Sequence, residues 1–233
     1  MKLELMVVAA HPDDAEICVG GILLAAKQRG ARIGIVDMTR GELGTRGTAE
    51  DRRREVEAAN AFLKLDVRHN LGQPDGRVQN SIETRENLAH LLRTHQPDVL
   101  LAQWDRDLHP DHATTGVIAR EAWYLAGLAK LDTATPAHRP RRFWHFMGHL
   151  PFDPTLVVDI GPVFERKQEL VRCYASQLEP AGSNDRGQHF LFGADILQRM
   201  ETRARYWGER IGARFGEPLL GLGPLPVQDP LVL

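Results

Sequence analysis

The chain is poor in cysteine, in long apolar runs and in net charge, and each shortage removes a class of function. Two cysteines in 233 residues, Cys18 and Cys173, form neither a CxxC pair nor a disulfide framework. That excludes a thiol-redox motif and a cystine-stapled secreted fold, and suits a reducing compartment. No apolar stretch is long enough to span a bilayer, and the N-terminal apolar run is short and ends in His-Pro-Asp-Asp rather than in a signal-peptide pattern. A cytoplasmic protein with no membrane partner is expected. A formal charge of −2 advertises neither nucleic acid nor an anionic surface as partner. Small or neutral substrates fit better.

What the chain does have is apolar content, 42%, enough for one substantial core. A single domain over 1–233 is expected, closed by an apolar, Pro-rich tail at 217–233 that would be an exposed patch unless it packs on the domain or on a second subunit. Leu3 to Ala10 reads as a buried strand, and Ile17, Gly21 and Leu24 mark a helix ending near Gly30. Strands at Arg32 to Met38, Val67 to Leu71 and Asp98 to Ala102 alternate with helices capped near Thr48 and near Asn80. The order β-α-β-α-β-α-β implies an α/β fold with a Rossmann-like, doubly wound, mostly parallel sheet flanked by helices. Further helices are expected over Val163 to Tyr174 and Ile196 to Ile211, with a polar loop between them at 175–189.

Two polar clusters interrupt this pattern at strand ends. His11-Pro12-Asp13-Asp14 follows the first strand and His109-Pro110-Asp111-His112 follows the fourth. In the order 3-2-1-4 these strands are neighbours whose connections leave in opposite directions, the switch point at which α/β sheets bind ligands. The clusters would meet there, with imidazoles and carboxylates suited to a divalent metal. His-Asp-His supplies three ligands with one position open, as in catalytic zinc sites. Adjacent aspartates cannot easily aim the same way, so one can bind metal while the other stays free. Spacing leaves open which one does, and whether His109 or His112 completes the set.

Ala-His-Pro-Asp-Asp at 10–14, Gly-Glu-Leu-Gly at 41–44, Arg52 to Glu55 as Arg-x-x-Glu, Pro-Asp-Gly at 74–76 and His-Pro-Asp-His at 109–112 together resemble the LmbE/PIG-L zinc-dependent N-deacetylases. His138-Arg-Pro140 and Tyr174-Ala-Ser-Gln177 resemble the branch that deacetylates N-acetylglucosaminyl malate in bacillithiol biosynthesis. The resemblance implies that His11, Asp14 and His112 bind Zn²⁺ or Fe²⁺, that Asp13 is the general base, and that His109 is general acid or oxyanion donor with Asp111 as its orienting carboxylate. It also implies that Arg52 and Arg139 face the substrate, that Glu42 and Asp75 hydrogen-bond sugar hydroxyls, and that the chain forms a homo-oligomer, trimer or hexamer. Leu108 departs from the family at a position where many members carry Arg.

The activity so implied is release of acetate from an N-acetylglucosamine conjugate. Other aglycones, such as inositol or a chitooligosaccharide, fit the same chemistry. A non-catalytic sugar- or nucleotide-binding module would need neither Asp13 nor His109, and the first strand is not followed by the Gly-x-Gly-x-x-Gly of nucleotide binders. Magnesium-dependent phosphoryl chemistry is disfavoured by the histidine ligands.

Overall fold

A computed structural model describes residues 1–44, 46–131, 135–178 and 196–224. Its centre is β1 (Leu5–Ala9), five consecutive buried residues hydrogen-bonded in parallel to β2 (Ile33–Asp37) on one side and β4 (Val99–Gln103) on the other. Alternation along β1 feeds two cores. Leu5, Val7 and Ala9 pack with α1 (Asp14–Gln28), whereas Met6 and Val8 pack with α3 (Ile82–His95) and α4 (Pro110–Ala126). With β3 (Val67–Asn70), β5 (Arg142–Phe146), β6 (Leu156–Asp159) and β7 (Gly216–Gly221), the sheet runs β3-β2-β1-β4-β5-β7-β6. The expected α/β fold and the 3-2-1-4 order of its first half are present. Against the first core lie α2 (Ala49–Leu63) and α5 (Phe164–Val171); α6 (Ala175–Leu178) and α7 (Ile196–Glu209) complete the described helices.

Helix starts follow local chemistry. Thr48 caps α2 in a reciprocal capping box with Asp51. For α3 the cap is Ser81, which accepts from the Thr84 amide, one residue past the Asn80 that the sequence suggests.

The first part of the anticipated tail, residues 217–221, packs on the domain as most of a strand that the sequence does not announce, β7. This strand lies between β5 and β6 and is antiparallel to both. Pro218 and two glycines hide it, since proline inside a strand normally argues against one. The ladder loses nothing. Phe215 and Leu219 carbonyls bond to the β6 side, so Pro218 turns its missing donor toward β5, whose pairing begins only at Leu219. The rest of the tail, 225–233, and most of the loop after α6, 179–195 with His189, lie outside the described residues. No helix of the described chain is long and apolar enough to cross a membrane.

Candidate metal centre and cleft

The ends of β1 and β4 deliver their two clusters to one place. After Ala10 the chain turns through Asp13, whose φ of 105° lies in the left-handed half of the map, before α1 begins at Asp14. Aspartate and asparagine tolerate positive φ better than other side-chain-bearing residues. The twist sends the two adjacent carboxylates different ways. Asp14 Oδ2 lies 3.2 Å from His11 Nδ1 and 3.3 Å from His112 Nε2, and accepts hydrogen bonds from the His11 amide and from Gln103 Nε2. Asp13 Oδ2 instead accepts from Arg52 Nη1 at 2.8 Å.

His11, Asp14 and His112 offer ligand atoms all within 4.8 Å of one another. The 3.2 and 3.3 Å spacings are long for charge-assisted hydrogen bonds, which run about 2.7–2.9 Å. They match the roughly 3.3–3.4 Å that separates two tetrahedral donors each about 2.0–2.1 Å from one zinc. The surrounding charge also favours a cation. Burial works to lower both imidazole pKa values, yet Asp111, Asp14 and Asp75 hold His11 well above its usual range, and Asp14 with Asp107 lifts His112 to about 9. The set therefore fits a divalent metal.

Behind these ligands stands a carboxylate frame. His11 Nε2 lies 3.0 Å from Asp75 Oδ1 and 3.3 Å from Asp111 Oδ2, so its other nitrogen is free to face Asp14. Asp111, expected beside His109, thus directs its side chain to His11 and to the Gly76 and Val78 amides. Only its backbone meets His109: the Asp111 N–H donates to His109 Nδ1 at 3.2 Å, making His109 the N-cap of α4. That bond places the proton of neutral His109 on Nε2, because Nδ1 must accept. Burial and the neighbouring imidazoles of His112 and His11 push its pKa down to about 4. His109 is accordingly a neutral N–H donor in the cleft.

Asp111→Ala, which removes one of the two carboxylates at His11 Nε2, is expected to weaken metal binding about 10–100-fold. Competition against a chromophoric chelator measures it, with Asp111→Asn as the variant that keeps the shape. Unchanged affinity in the Ala variant would remove Asp111 from the frame.

Arg52 is not part of a solvated charge run, although Arg53 and Arg54 beside it are exposed. It is buried, reaches back from α2 to Asp13 and donates to the Pro12 carbonyl. Burial is the largest influence on Asp13 and raises its pKa to about 7, with Arg52 opposing. A half-buried carboxylate near neutrality, held by one guanidinium, is poised to take a proton.

Other expected residues fall elsewhere. Asp75 lines the cleft but is occupied with His11 and the Leu43 amide. Glu42 is exposed and accepts from the Arg40 and Asp75 amides, tying its own loop rather than opening to the cleft. Arg139 is corrected: it stacks on Trp123 and Tyr124 and donates to the Tyr124 carbonyl near the C-terminal end of α4, whereas the metal cluster sits at that helix's N-terminus.

Three residues belong to the site without having been expected there. Gln103, buried at the end of β4, bridges the Ala10 amide and Asp14. Asp107 is buried, accepts from the His109 amide and from His149 Nδ1 at 2.9 Å, and lies 3.7 Å from His112 Nδ1. His149 stacks on His112 at a centroid distance of 4.8 Å. Asp107 carried a weak signal, standing two residues before His109; His149 follows β5 with no motif around it.

These groups open into one cleft of about 590 Å³, lined on one flank by Leu43, Gly44, Arg46 and Gly76 and on the other by Met147, Gly148 and residues of α7 and β7. The chain is similar to known proteins. A conserved protein from Thermus thermophilus is 38% identical, with a TM-score of 0.87 over 99% of both chains. The diacetylchitobiose deacetylase of Thermococcus kodakarensis is 26% identical over 92% of this chain and 81% of its own length. The probable N-acetyl-alpha-D-glucosaminyl L-malate deacetylase 2 of Bacillus anthracis is 28% identical over 51% of this chain and 58% of its own. The PIG-L model, described as GlcNAc-PI de-N-acetylase, matches residues 6–123, just over half of the sequence and the part that carries both His-Pro-Asp clusters; the chain belongs to the PIG-L family.

Proposed function

We propose that the chain is a zinc-dependent N-deacetylase that releases acetate from an N-acetylglucosamine unit in a short glycan. The observation that carries this reading is the division of labour between neighbouring aspartates: Asp14 converges with His11 and His112, while Asp13 stands apart on Arg52. A metal-tethered binding module has no use for the second carboxylate.

Bound by His11, Asp14 and His112, the metal supplies Lewis acidity toward a carbonyl oxygen and toward water. The protein's own groups handle the protons. Asp13 takes the proton of the attacking water and returns it to the leaving amine, with Arg52 fixing the carboxylate. His109 Nε2–H donates to the oxygen that becomes negative as the amide carbon turns tetrahedral. Breakage of the C–N bond leaves acetate and a free amine, so the balance needs only water.

For the substrate, the diacetylchitobiose deacetylase matches along nearly the whole chain and the malate deacetylase along half. Neither arginine expected to face the substrate offers itself to a malate carboxylate, since Arg139 packs against the C-terminal end of α4 and Arg52 is engaged with Asp13. An uncharged chitooligosaccharide is therefore preferred over the bacillithiol precursor. The same reading includes self-association as a trimer or hexamer, supported by the resemblance alone.

Amine release by the zinc-loaded chain from diacetylchitobiose, N-acetylglucosaminyl malate and the inositol conjugate, assayed side by side, tests the proposal. Diacetylchitobiose is expected to show the highest kcat/KM. Preference for the malate conjugate would return the chain to the bacillithiol branch, and no release from any of the three would sink the deacetylase reading.

A further inference from the structure

Half of the cleft is not used by the chemistry above. In sheet order the metal cluster sits at the centre, on β1 and β4. The loops after β2 and β3 form one flank, and the end of β5 with the start of β7 forms the other. The first flank is loop-built and presents Arg46 and Asp75 beside Leu43. The second is an arm with an apolar wall of Ile17 and Cys18 of α1, Met147, Met200 and Ala204 of α7, and Pro218 of β7, with Arg199 and Arg203 of α7 also lining it. Burial also pushes the Cys18 thiol well up, as an apolar wall would. Met200 and Ala204 stand four residues apart, on one face of α7. The Arg203 guanidinium, one residue before Ala204, donates to the Gly148 carbonyl and ties that helix to the β5 loop.

The arm has a built end. Helical geometry breaks at Val19, freeing the amides of Gly21 and Ile22, and Glu217 of β7 accepts from both, at 2.9 and 2.8 Å. Lys167 of α5 neutralises the same carboxylate at 2.7 Å, and both side chains are buried. A charge so paired closes the arm without demanding a charged ligand. Gly21 is seven residues beyond Asp14, roughly 10 Å further along α1 at about 1.5 Å per residue. Such a depth exceeds what an acetyl group needs.

Resting on the deacetylase reading, we infer that this arm receives the acyl side of the substrate amide and accepts linear acyl groups longer than acetyl. An amide centred on the metal must send its two substituents to opposite flanks. The sugar, with its hydroxyls, suits the loops that carry Arg46 and Asp75; a hydrocarbon chain suits the apolar wall of the arm. Hydrolysis is balanced as before, with a fatty acid in place of acetate.

The test is kcat/KM of the zinc-loaded full chain on N-acetyl-, N-butyryl-, N-hexanoyl- and N-octanoyl-glucosamine, with the hexyl glycoside of N-acetylglucosamine alongside. Beyond acetyl, kcat/KM is expected to rise by up to about fourfold per buried methylene until the arm is full. Ala204→Phe, which fills part of the arm from the α7 side, is expected to abolish that gain and keep hydrolysis of the acetyl substrate, which also shows that the variant folds. Met200→Ala should shift the optimum to a longer chain. Steady loss from acetyl onward, or a gain from the hexyl glycoside instead of from the acyl chain, overturns the inference and leaves the deacetylase reading standing. If no acyl-glucosamine is hydrolysed, both fall.

Discussion

Exchanging Asp13 for Asn is expected to leave the metal bound and to lower kcat about a hundred- to ten-thousand-fold, the usual worth of a positioned general base. Asparagine is the informative replacement because it tolerates the φ of 105° at this position, whereas alanine would add backbone strain to the loss of the carboxylate. The three side chains proposed to hold the metal are untouched by the change, since Asp13 contacts Arg52 and the Pro12 to Asp14 turn keeps its shape. Asp14→Asn should behave in the opposite way: the oxygen shared by His11 and His112 loses its charge, and metal content drops with activity. Metal analysis on both purified variants separates the roles. Loss of metal in Asp13→Asn, with retention in Asp14→Asn, would reverse them.

The parts of this site that stand out in the sequence are those in which one residue type breaks a periodic pattern. Polar residues at the end of the β1 run and again after β4 cannot be packing, so they announce a rim, and the βα alternation says that the two rims adjoin. The same logic has no purchase on His149, an isolated histidine after β5, or on Gln103, whose side chain is indistinguishable by pattern from any residue closing a strand. Their roles come from tertiary placement alone, Gln103 through the Ala10 amide and Asp14, His149 through Asp107. Motif reading also misdirects where it assigns a partner by nearness along the chain. Asp111 sits two residues from His109, but α4 begins between them, and a helix start turns the backbone amide, not the carboxylate, toward the capping ring. Arg139 shows the converse error, a motif residue set at the wrong end of a helix of 17 residues. β7 was masked by proline and glycine because the rule that excludes proline from strands concerns donors the ladder requires, and at Pro218 it requires none.

Replacing Arg68 by Met is expected to cost about 3–5 kcal/mol of stability, the toll of leaving buried charge uncompensated. Arg68 on β3 is buried beneath the site and is the cation between two buried carboxylates, pairing with both oxygens of Asp37 at 2.7 and 3.0 Å and with Glu16 Oε1 at 2.7 Å. Tyr174 donates to the same Glu16 oxygen at 2.9 Å, and Asn60 accepts from Arg68. Methionine fills much of the volume, so the deficit is electrostatic rather than a cavity. At about 2–4 °C per kcal/mol for a chain of this size, the midpoint of thermal unfolding should fall by roughly 6–20 °C. The sign of the pH dependence is fixed as well. Burial already raises the pKa of Asp37 against the pull of Arg68, and without the guanidinium it rises further. A carboxyl group whose folded pKa exceeds its unfolded one binds more protons in the folded state, so it favours folding at low pH and disfavours it as pH climbs. The Met variant should therefore narrow its gap to the parent on acidification, down to the point where acid unfolds both. Adding Asp37→Asn should recover part of the loss at neutral pH, because the uncompensated charge is then gone. A midpoint within a degree or two of the parent, or a gap that widens toward acid, would mean that Arg68 is a dispensable packing residue and that the carboxylates beneath the metal centre are balanced by other groups.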